Sequence, residues 1–266
     1  MQYSKEVPCG SKETPGEVIS PGDLLRGRLS VFRRKVSRAL GCVERAATRG
    51  KIGVAFSGGK DSTVTLDLVR QVVPDAVAIF YNDGAQLADT YAFIAKTPNV
   101  NVIKVEPDLL EMCRIGGYWG YQSDTPDVEF DFGYALIEEP SARVVKEHGL
   151  GVVAIGLRGE ESTGRHFNAR RKGELYWCKE YRVWHLCPVQ FWTVEDIWAY
   201  VATQGLAYNV AYDKMAALGM KREEMRVAPV LGAAAVGFGQ YAYLKQLDPE
   251  LWNRLVAEFP KIGIYV

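Results

Sequence analysis

Four short apolar runs decide what this chain can fold into. KIGVAF (51–56), AVAIFY (76–81), NVIKVE (101–106) and GVVAIGL (151–157) are rich in β-forming residues. Helical patterns separate them. STVTLDLVRQVV after the first sets Val64, Leu68 and Val72 at helical spacing, LADTYAFIAK (87–96) follows the second, and ALIEEPSARVVKEHG (135–149), with a helix after Pro140, precedes the fourth. Strands alternating with helices call for right-handed crossovers, so the expected fold is α/β, an open, mostly parallel sheet flanked by helices. Ligands of such sheets gather beyond the carboxyl ends of the strands. The polar clusters SGGKDS, NDGAQ and RGEESTGR each follow one of these runs, so all three are expected to line one crevice.

The flanks divide the chain further. Residues 1–22 are polar and read as a mobile arm. Residues 23–49 read as one amphipathic helix with Leu25, Leu29, Phe32, Val36, Leu40 and Val43 on one stripe. Its other face carries Arg26, Arg28, Arg33, Arg34, Lys35, Arg38, Arg45 and Arg49 against Asp23 and Glu44, which suits either a solvated face or a surface for phosphates or a polynucleotide. The acid-rich stretch 106–139 offsets that charge, by pairing with it, by solvation or by facing a cationic substrate. Within it, 115–134 is too long for a plain connection and reads as a lid. LYWCKEYRVWHLCPV reads as a hairpin with Lys179-Glu180 at its turn, and Thr193 as the cap of the helix that follows. The nucleotide-binding unit is expected over 50–190 and a helical C-terminal extension over 191–266.

Bulk properties exclude several classes. The formal net charge is zero, so no global field points to a polyanion. No run of about 18 apolar residues offers a membrane span, and no membrane partner is expected. The first residues lack the apolar core of a secretion signal. Cysteines at 9, 42, 113, 178 and 187 are odd in number and form no CxxC pair, which fits reduced thiols and a cytoplasmic location.

SGGKDS sits between a strand and a helix N-terminus, where phosphates bind. It is not a Walker A loop, because Val54 stands five residues before Gly59 where that motif has glycine, and Asp61 follows Lys60 where it has Ser or Thr. Gly58 and Gly59 let backbone N–H groups approach a phosphate, Lys60 adds a charge, and Ser57 and Ser62 offer hydroxyls. Asp61 suits either helix capping or Mg²⁺. Arg158 and Arg165 suit either a polyanion clamp or internal pairs with Glu160 or Glu161.

The hexamer closely resembles the PP-loop of the ATP pyrophosphatase, or adenine nucleotide α-hydrolase, superfamily. NDGAQLADTYAFI (82–94) resembles the DTG…PETYxFI stretch of phosphoadenylyl-sulfate (PAPS) reductases, with Asn82 and Asp83 where Asp and Thr usually stand. GLRGEESTGR (156–165) resembles their GLRxxES..R segment, with Arg158, Glu161, Ser162 and Arg165 in place, and CPVQFWTVEDIWAYV (187–201) resembles the stretch after it. The resemblance runs from about 50 to 215 and implies a Rossmann-like PP-loop fold. It places the phosphates on Ser57, Gly58, Gly59, Lys60, Asp61 and Ser62, the nucleoside near Asn82, Asp83, Gly84 and Gly156, and the terminal or transferred anion near Arg158 and Arg165.

The activity it implies is cleavage of ATP, with Mg²⁺, to AMP and pyrophosphate while a second substrate is activated, as in sulfur or nitrogen transfer to nucleic acid. PAPS reductases instead use a cysteine on a C-terminal tail, and no cysteine lies beyond Cys187 here. Reduction would therefore need Cys178, Cys187 or a partner thiol, and no iron–sulfur cluster is expected. A nucleotide-sensing regulator that binds without cleaving is the third reading. YDKMAALGMKREEMRVAPV (212–230), with Arg226, is similar to PAPS-reductase-like proteins of phages and mobile elements, some found beside a ParB-like partner. Family analogy also implies a homodimer through the N-terminal helix. His148, His166 and His185 are scattered and read as local or core residues, and the Trp and Tyr residues of 176–198 read as core or as base-stacking groups.

Overall fold

The computed structural model describes residues 18–122, 131–228 and 240–265. Its centre is a six-stranded sheet in the order β3-β2-β1-β4-β6-β5, from β1 (Ile52–Ala55), β2 (Val77–Asn82), β3 (Val100–Lys104), β4 (Val152–Ile155), β5 (Leu175–Cys178) and β6 (Val183–Leu186). Every neighbouring pair is parallel except the β5–β6 hairpin. The chain lays β2 and β3 on one side of β1, then returns to lay β4 on the other. That reversal opens a crevice at the carboxyl ends of β1 and β4. All the strands expected from the apolar runs are present.

Alternate side chains of the buried strands feed opposite faces, as a two-residue repeat requires. Ala78 and Phe80 of β2, with Val152 and Ala154 of β4, meet Leu66 and Val69 of α3 (Lys60–Val72). Ile79 and Val153 turn the other way, toward Val144 of α6. The intervening helices are α4 (Ala88–Lys96), α5 (Leu109–Ile115), α6 (Glu139–Glu147, with Pro140 in its first turn) and α7 (Thr163–Lys172). The C-terminal helices α8 (Val194–Gln204), α9 (Ala211–Ala217), α10 (Gln240–Leu247) and α11 (Pro249–Glu258) form no detached appendage. Trp198 and Tyr200 of α8 share one core with Val64 and Leu68 of α3. Thr193 caps α8, accepting from the Asp196 N–H.

The N-terminal region departs from the sequence reading. Two helices, α1 (Pro21–Gly27) and α2 (Ser30–Ala47), replace one, with Leu29 extended between them, and Leu25 and Leu29 are exposed. The break lets α1 lie across α8, where Gly27 sits so close to Thr203 that a Cβ would approach its Cγ2 to 2.1 Å. The core-facing stripe of α2 is Phe32, Ala39, Cys42, Val43 and Ala46. Residues 1–17 of the expected arm lie outside the described residues, but Val18 is buried and its N–H donates to Asp213 Oδ1 at 3.1 Å. Basic side chains of α1 and α2 also find other partners than the 106–139 stretch. Arg26 and Lys35 pair with Asp196, and Arg38 with Glu174. Of the expected lid, residues 123–130 lie outside the described residues.

His185 of β6 stacks on Tyr181 with ring centres 5.8 Å apart, and its Nδ1 is 3.3 Å from Tyr176 Oη. Burial, with Lys172 nearby, outweighs the pull of Glu180 and drives its pKa down from 6.5 to about 4. Between those values the unfolded chain takes up a proton that the native ring refuses, so stability falls as pH drops from 6.5 toward 4 and is unaffected above. We expect a loss on the order of 1–3 kcal/mol over that window. Thermal melts of the wild type and His185→Phe at pH 7, 5.5 and 4.5 check it. The variant should lose part of the slope, and parallel pH profiles would refute the assignment.

Candidate nucleotide-binding site

The glycine turn after β1 feeds α3 directly, and Gly59 occupies the cap position of that helix. Gly58 has φ +70°, a conformation glycine adopts without strain, and its neighbours Thr90, Phe93 and Ile94 leave little room for a side chain. Ser62 Oγ donates to the Gly59 carbonyl at 2.9 Å and accepts from the Ser57 N–H at 3.2 Å, tying the loop into a closed ring. Ser57, Gly59, Lys60, Asp61 and Ser62 line a cavity of about 1330 Å³. The first turn of α3, and hence the positive end of its dipole, therefore faces that space.

Asp61 stands two residues past the Gly59 cap, in the first turn of α3, and its carboxylate does something else. Its Oδ1 is 2.5 Å from Arg158 Nε and its Oδ2 is 3.3 Å from Lys60 Nζ. Burial alone would raise the Asp61 pKa, but Lys60 and Arg158 outweigh it and hold the carboxyl below its usual range. Lys60 is 1% exposed and Arg158 is 2% exposed. Burial, with Arg226 and Arg158 adding repulsion, lowers the Lys60 pKa against the support of Asp61. Arg158 also pairs with Glu160. Of the two roles open to Arg158, internal pairing is the one seen, and Asp61 is a partner that sequence alone did not suggest.

Both oxygens of Asp61 are thus engaged by cations. The donor set does not fit a resident Mg²⁺, which would need a carboxylate free of such partners. Among the described residues, no group of three or more His, Cys, Asp and Glu is placed to hold a metal ion.

Residues of the other two motifs reach the same cavity, although Asn82, Gly84 and Arg158 are not on its wall. Asn82 Oδ1 accepts from the Gly84 N–H at 3.1 Å and from Tyr91 Oη at 3.0 Å, shaping a turn in which Gly84 has φ +81°. Asp83 and Gln86 of this turn reach the cavity wall. Burial raises the Asp83 pKa, although its carboxylate accepts from the Ala85 N–H and the Gln86 amide. Across the crevice, β4 delivers Gly156. A Cβ there would lie 2.7 Å from the Asp61 carbonyl carbon, so glycine is required by the close passage of two backbones. Arg165, on α7, pairs with Glu161, and both line the cavity.

Tyr212 was missed as a site residue. Its Oη accepts from the Lys60 N–H at 2.9 Å, and Lys60 Nζ lies 5.5 Å from the centre of its ring. Lys60 Nζ also donates to the Met225 carbonyl at 3.3 Å, while Arg226 Nη2 stands 3.8 Å from Glu161 Oε1. The segment quoted around Arg226 therefore closes one side of the loop. No local pattern announces a contact 152 residues apart.

Residues 51–265 match the phosphoadenosine phosphosulfate reductase domain family, which spans most of the chain. The chain belongs to that family. This PAPS reductase-like protein is 31% identical over 173 residues to an adenosine 5'-phosphosulfate reductase of Geobacillus thermodenitrificans, covering 62% of this chain and 68% of the relative. It is 26% identical over 219 residues to an uncharacterized protein of Methanocaldococcus jannaschii, covering 80% of this chain but only 48% of that protein. Among solved structures, the PAPS reductase of Candida auris in its phosphate complex superposes with a TM-score of 0.51 at 17% identity, covering 71% of this chain and 91% of that one, a likeness of fold.

The thiols of this family member are poorly disposed for attack. Cys178 is buried, donates to Glu180 Oε2 at 3.1 Å, and has its pKa raised by burial and by that carboxylate. Cys187 is buried and pushed up to about 12. Cys113, on the cavity wall, is likewise pushed up to about 12 by burial. Thiols held so far from ionisation are weak nucleophiles.

Proposed function

We propose that this chain binds ATP as its Mg²⁺ complex on the PP-loop and cleaves it between the α and β phosphates, adenylating a second substrate. One observation carries the reading. Lys60 and Arg158 are buried at the loop and share Asp61, Arg158 is also held by Glu160, and Arg165 and Arg226 stand at the rim beside Glu161, so four cations meet three carboxylates and the crevice keeps a positive excess for an anion. No nucleophile of the chain is needed. An oxygen or nitrogen of the second substrate attacks the α-phosphorus and gives up its proton. The bond to the bridging oxygen breaks, and pyrophosphate leaves with the electron pair. Lys60 and the helix N-terminus oppose the charge that develops on the phosphate oxygens. A volume of about 1330 Å³ exceeds the roughly 300–1,000 Å³ of ordinary ligand pockets, which supports two occupants.

A sulfonucleotide in place of ATP is the second reading, favoured by the reductase relatives. The same loop would hold it, and the attacking thiol would come from a partner, since Cys113, Cys178 and Cys187 are buried. Binding titrations with ATP·Mg²⁺, adenosine phosphosulfate and PAPS, followed by assays for AMP, pyrophosphate and sulfite, separate the readings. ATP is expected to bind most tightly and to yield AMP and pyrophosphate, with Lys60→Ala weakening it at least tenfold. Preference for a sulfonucleotide, with sulfite released once a dithiol is supplied, would replace the first reading. Binding without turnover of any of the three would make the protein a nucleotide sensor.

A further inference from the structure

The cavity at the strand ends is more than a phosphate site. The PP-loop, Asp83 and Gly156 form one side of its wall. The other side comes from α5 and the segment after it, through Leu109, Cys113, Tyr118, Trp119 and Leu136, joined by Tyr241 of α10. Leu109, Cys113, Leu136 and Tyr241 are buried. Among the described residues, Lys261 is the one charged side chain that this second side adds.

The rings of this chamber are held in place. Trp119 stands edge-on to Tyr241 and Phe259, with ring centres 6.2 and 5.4 Å apart, and Tyr118 stands likewise to Phe132 at 5.1 Å. The turn that carries them passes twice through the left-handed region, at Gly117 with φ +63° and at Trp119 with φ +48°. Glycine takes that conformation freely. A residue as bulky as tryptophan rarely does, and such outliers gather at ligand clamps. Tyr118 is 44% exposed and Ile137 is 62% exposed, so apolar side chains also edge the opening.

The wall further restricts what can attack the α-phosphorus. A neutral hydroxyl or amine must pass a proton to a base as it attacks. Among the described residues the wall has no histidine and three carboxylates. Asp61 is held by Lys60 and Arg158, Glu161 by Arg165, and Asp83 by the Ala85 N–H and the Gln86 amide. A carboxylate nucleophile arrives already deprotonated and needs no such base. Its single charge suits the positive excess at the rim.

We propose that this chamber takes a planar aromatic carboxylic acid as the second substrate, an inference that rests on the adenylation reading. The flat body lies among the rings and apolar side chains, and the carboxylate faces the PP-loop. One carboxylate oxygen bonds to the α-phosphorus. The bond from that phosphorus to the bridging oxygen breaks, and pyrophosphate leaves with the electron pair. The product is an acyl adenylate, and no proton moves.

The test uses the full-length protein with ATP·Mg²⁺ and two probe acids, naphthoate and cinnamate. Acetate, naphthylmethanol and oligothymidylate are the comparisons. Titration calorimetry reads binding, a coupled assay reads pyrophosphate, and hydroxylamine traps an acyl adenylate as its hydroxamate. Both aromatic acids should bind about a hundredfold more tightly than acetate, raise pyrophosphate release and yield hydroxamate. Naphthylmethanol should bind and release no pyrophosphate. Trp119→Ala should raise KM for naphthoate about tenfold while KM for ATP stays unchanged. Ile137→Asp sets a like charge at the opening, at an exposed position, and should weaken naphthoate about fivefold, less so at high salt.

Failure of both acids to bind, or an unchanged naphthoate affinity in both variants, would overturn the proposal. So would pyrophosphate release that follows naphthylmethanol or oligothymidylate rather than the acids. Acids that bind without ATP cleavage would remove the adenylation reading and leave the acid as a ligand of the chamber. ATP cleavage indifferent to the acids would keep that reading and remove the aromatic acid as its substrate.

Discussion

Arg158→Met will cost the protein about 3–5 kcal/mol, the loss typical when one partner of a buried ion pair is removed. The guanidinium is enclosed, and its Nε holds Asp61 Oδ1 at 2.5 Å while its far end holds Glu160. Methionine fills similar space but leaves Asp61 with Lys60 alone, 3.3 Å away. For a chain of this size the melting temperature should fall by about 6–20 °C. The double variant Arg158→Met/Asp61→Asn should recover part of that loss, because the uncompensated carboxylate is then gone. Thermal and urea denaturation of the two singles and the double measure the coupling. A loss under 1 kcal/mol in the single variant, or strict additivity in the double, would mean that the pair does not hold the loop.

Gly156→Ala will strain the same place from the opposite strand. An added Cβ meets the Asp61 carbonyl carbon at 2.7 Å and the Ser62 nitrogen at 2.8 Å, all backbone atoms that cannot swing aside. The first turn of α3 must shift, at a cost of about 1–3 kcal/mol. That turn presents Lys60 and the helix N-terminus to the cavity, so nucleotide affinity should fall by tenfold or more, beyond what the lost stability explains. Gly164→Ala is the control, since a Cβ there meets nothing within 4 Å. It should leave both melting temperature and affinity nearly unchanged. If Gly156→Ala binds nucleotide as well as the control does, the backbone contact is not what sets the loop.

The central strands of the parallel sheet were legible because both of their faces are buried. KIGVAF, AVAIFY and GVVAIGL are apolar at nearly every position, and successive positions feed opposite cores, whereas NVIKVE forms the edge strand β3, where Ile103 is buried and Val102 is exposed. The crevice was legible too, since three polar clusters at strand ends can meet in only one place in such a sheet. What the sequence hid was pairing across distance. Arg158 was weighed against Glu160 and Glu161, which are near in sequence, while Asp61 lies 97 residues away. Tyr212 showed no periodicity that marks a loop-bracing hydroxyl. The N-terminal helix was drawn as one piece because its apolar spacing carries through Leu25 and Leu29. Nothing in that spacing records that Gly27 must sit against Thr203.

Lys60 is braced by Tyr212 and by the Met225 carbonyl, which lies 165 residues further along the chain. During synthesis the phosphate loop therefore leaves the ribosome long before the segment that encloses its lysine. At about 5–20 residues per second, the interval is on the order of 10–30 s. Until it ends, the lysine stands in water without two of its native neighbours. A bound nucleotide can lend its binding energy only to the last stage of maturation. An early stop anywhere before residue 212 would release a chain that carries the loop's sequence but not its finished site.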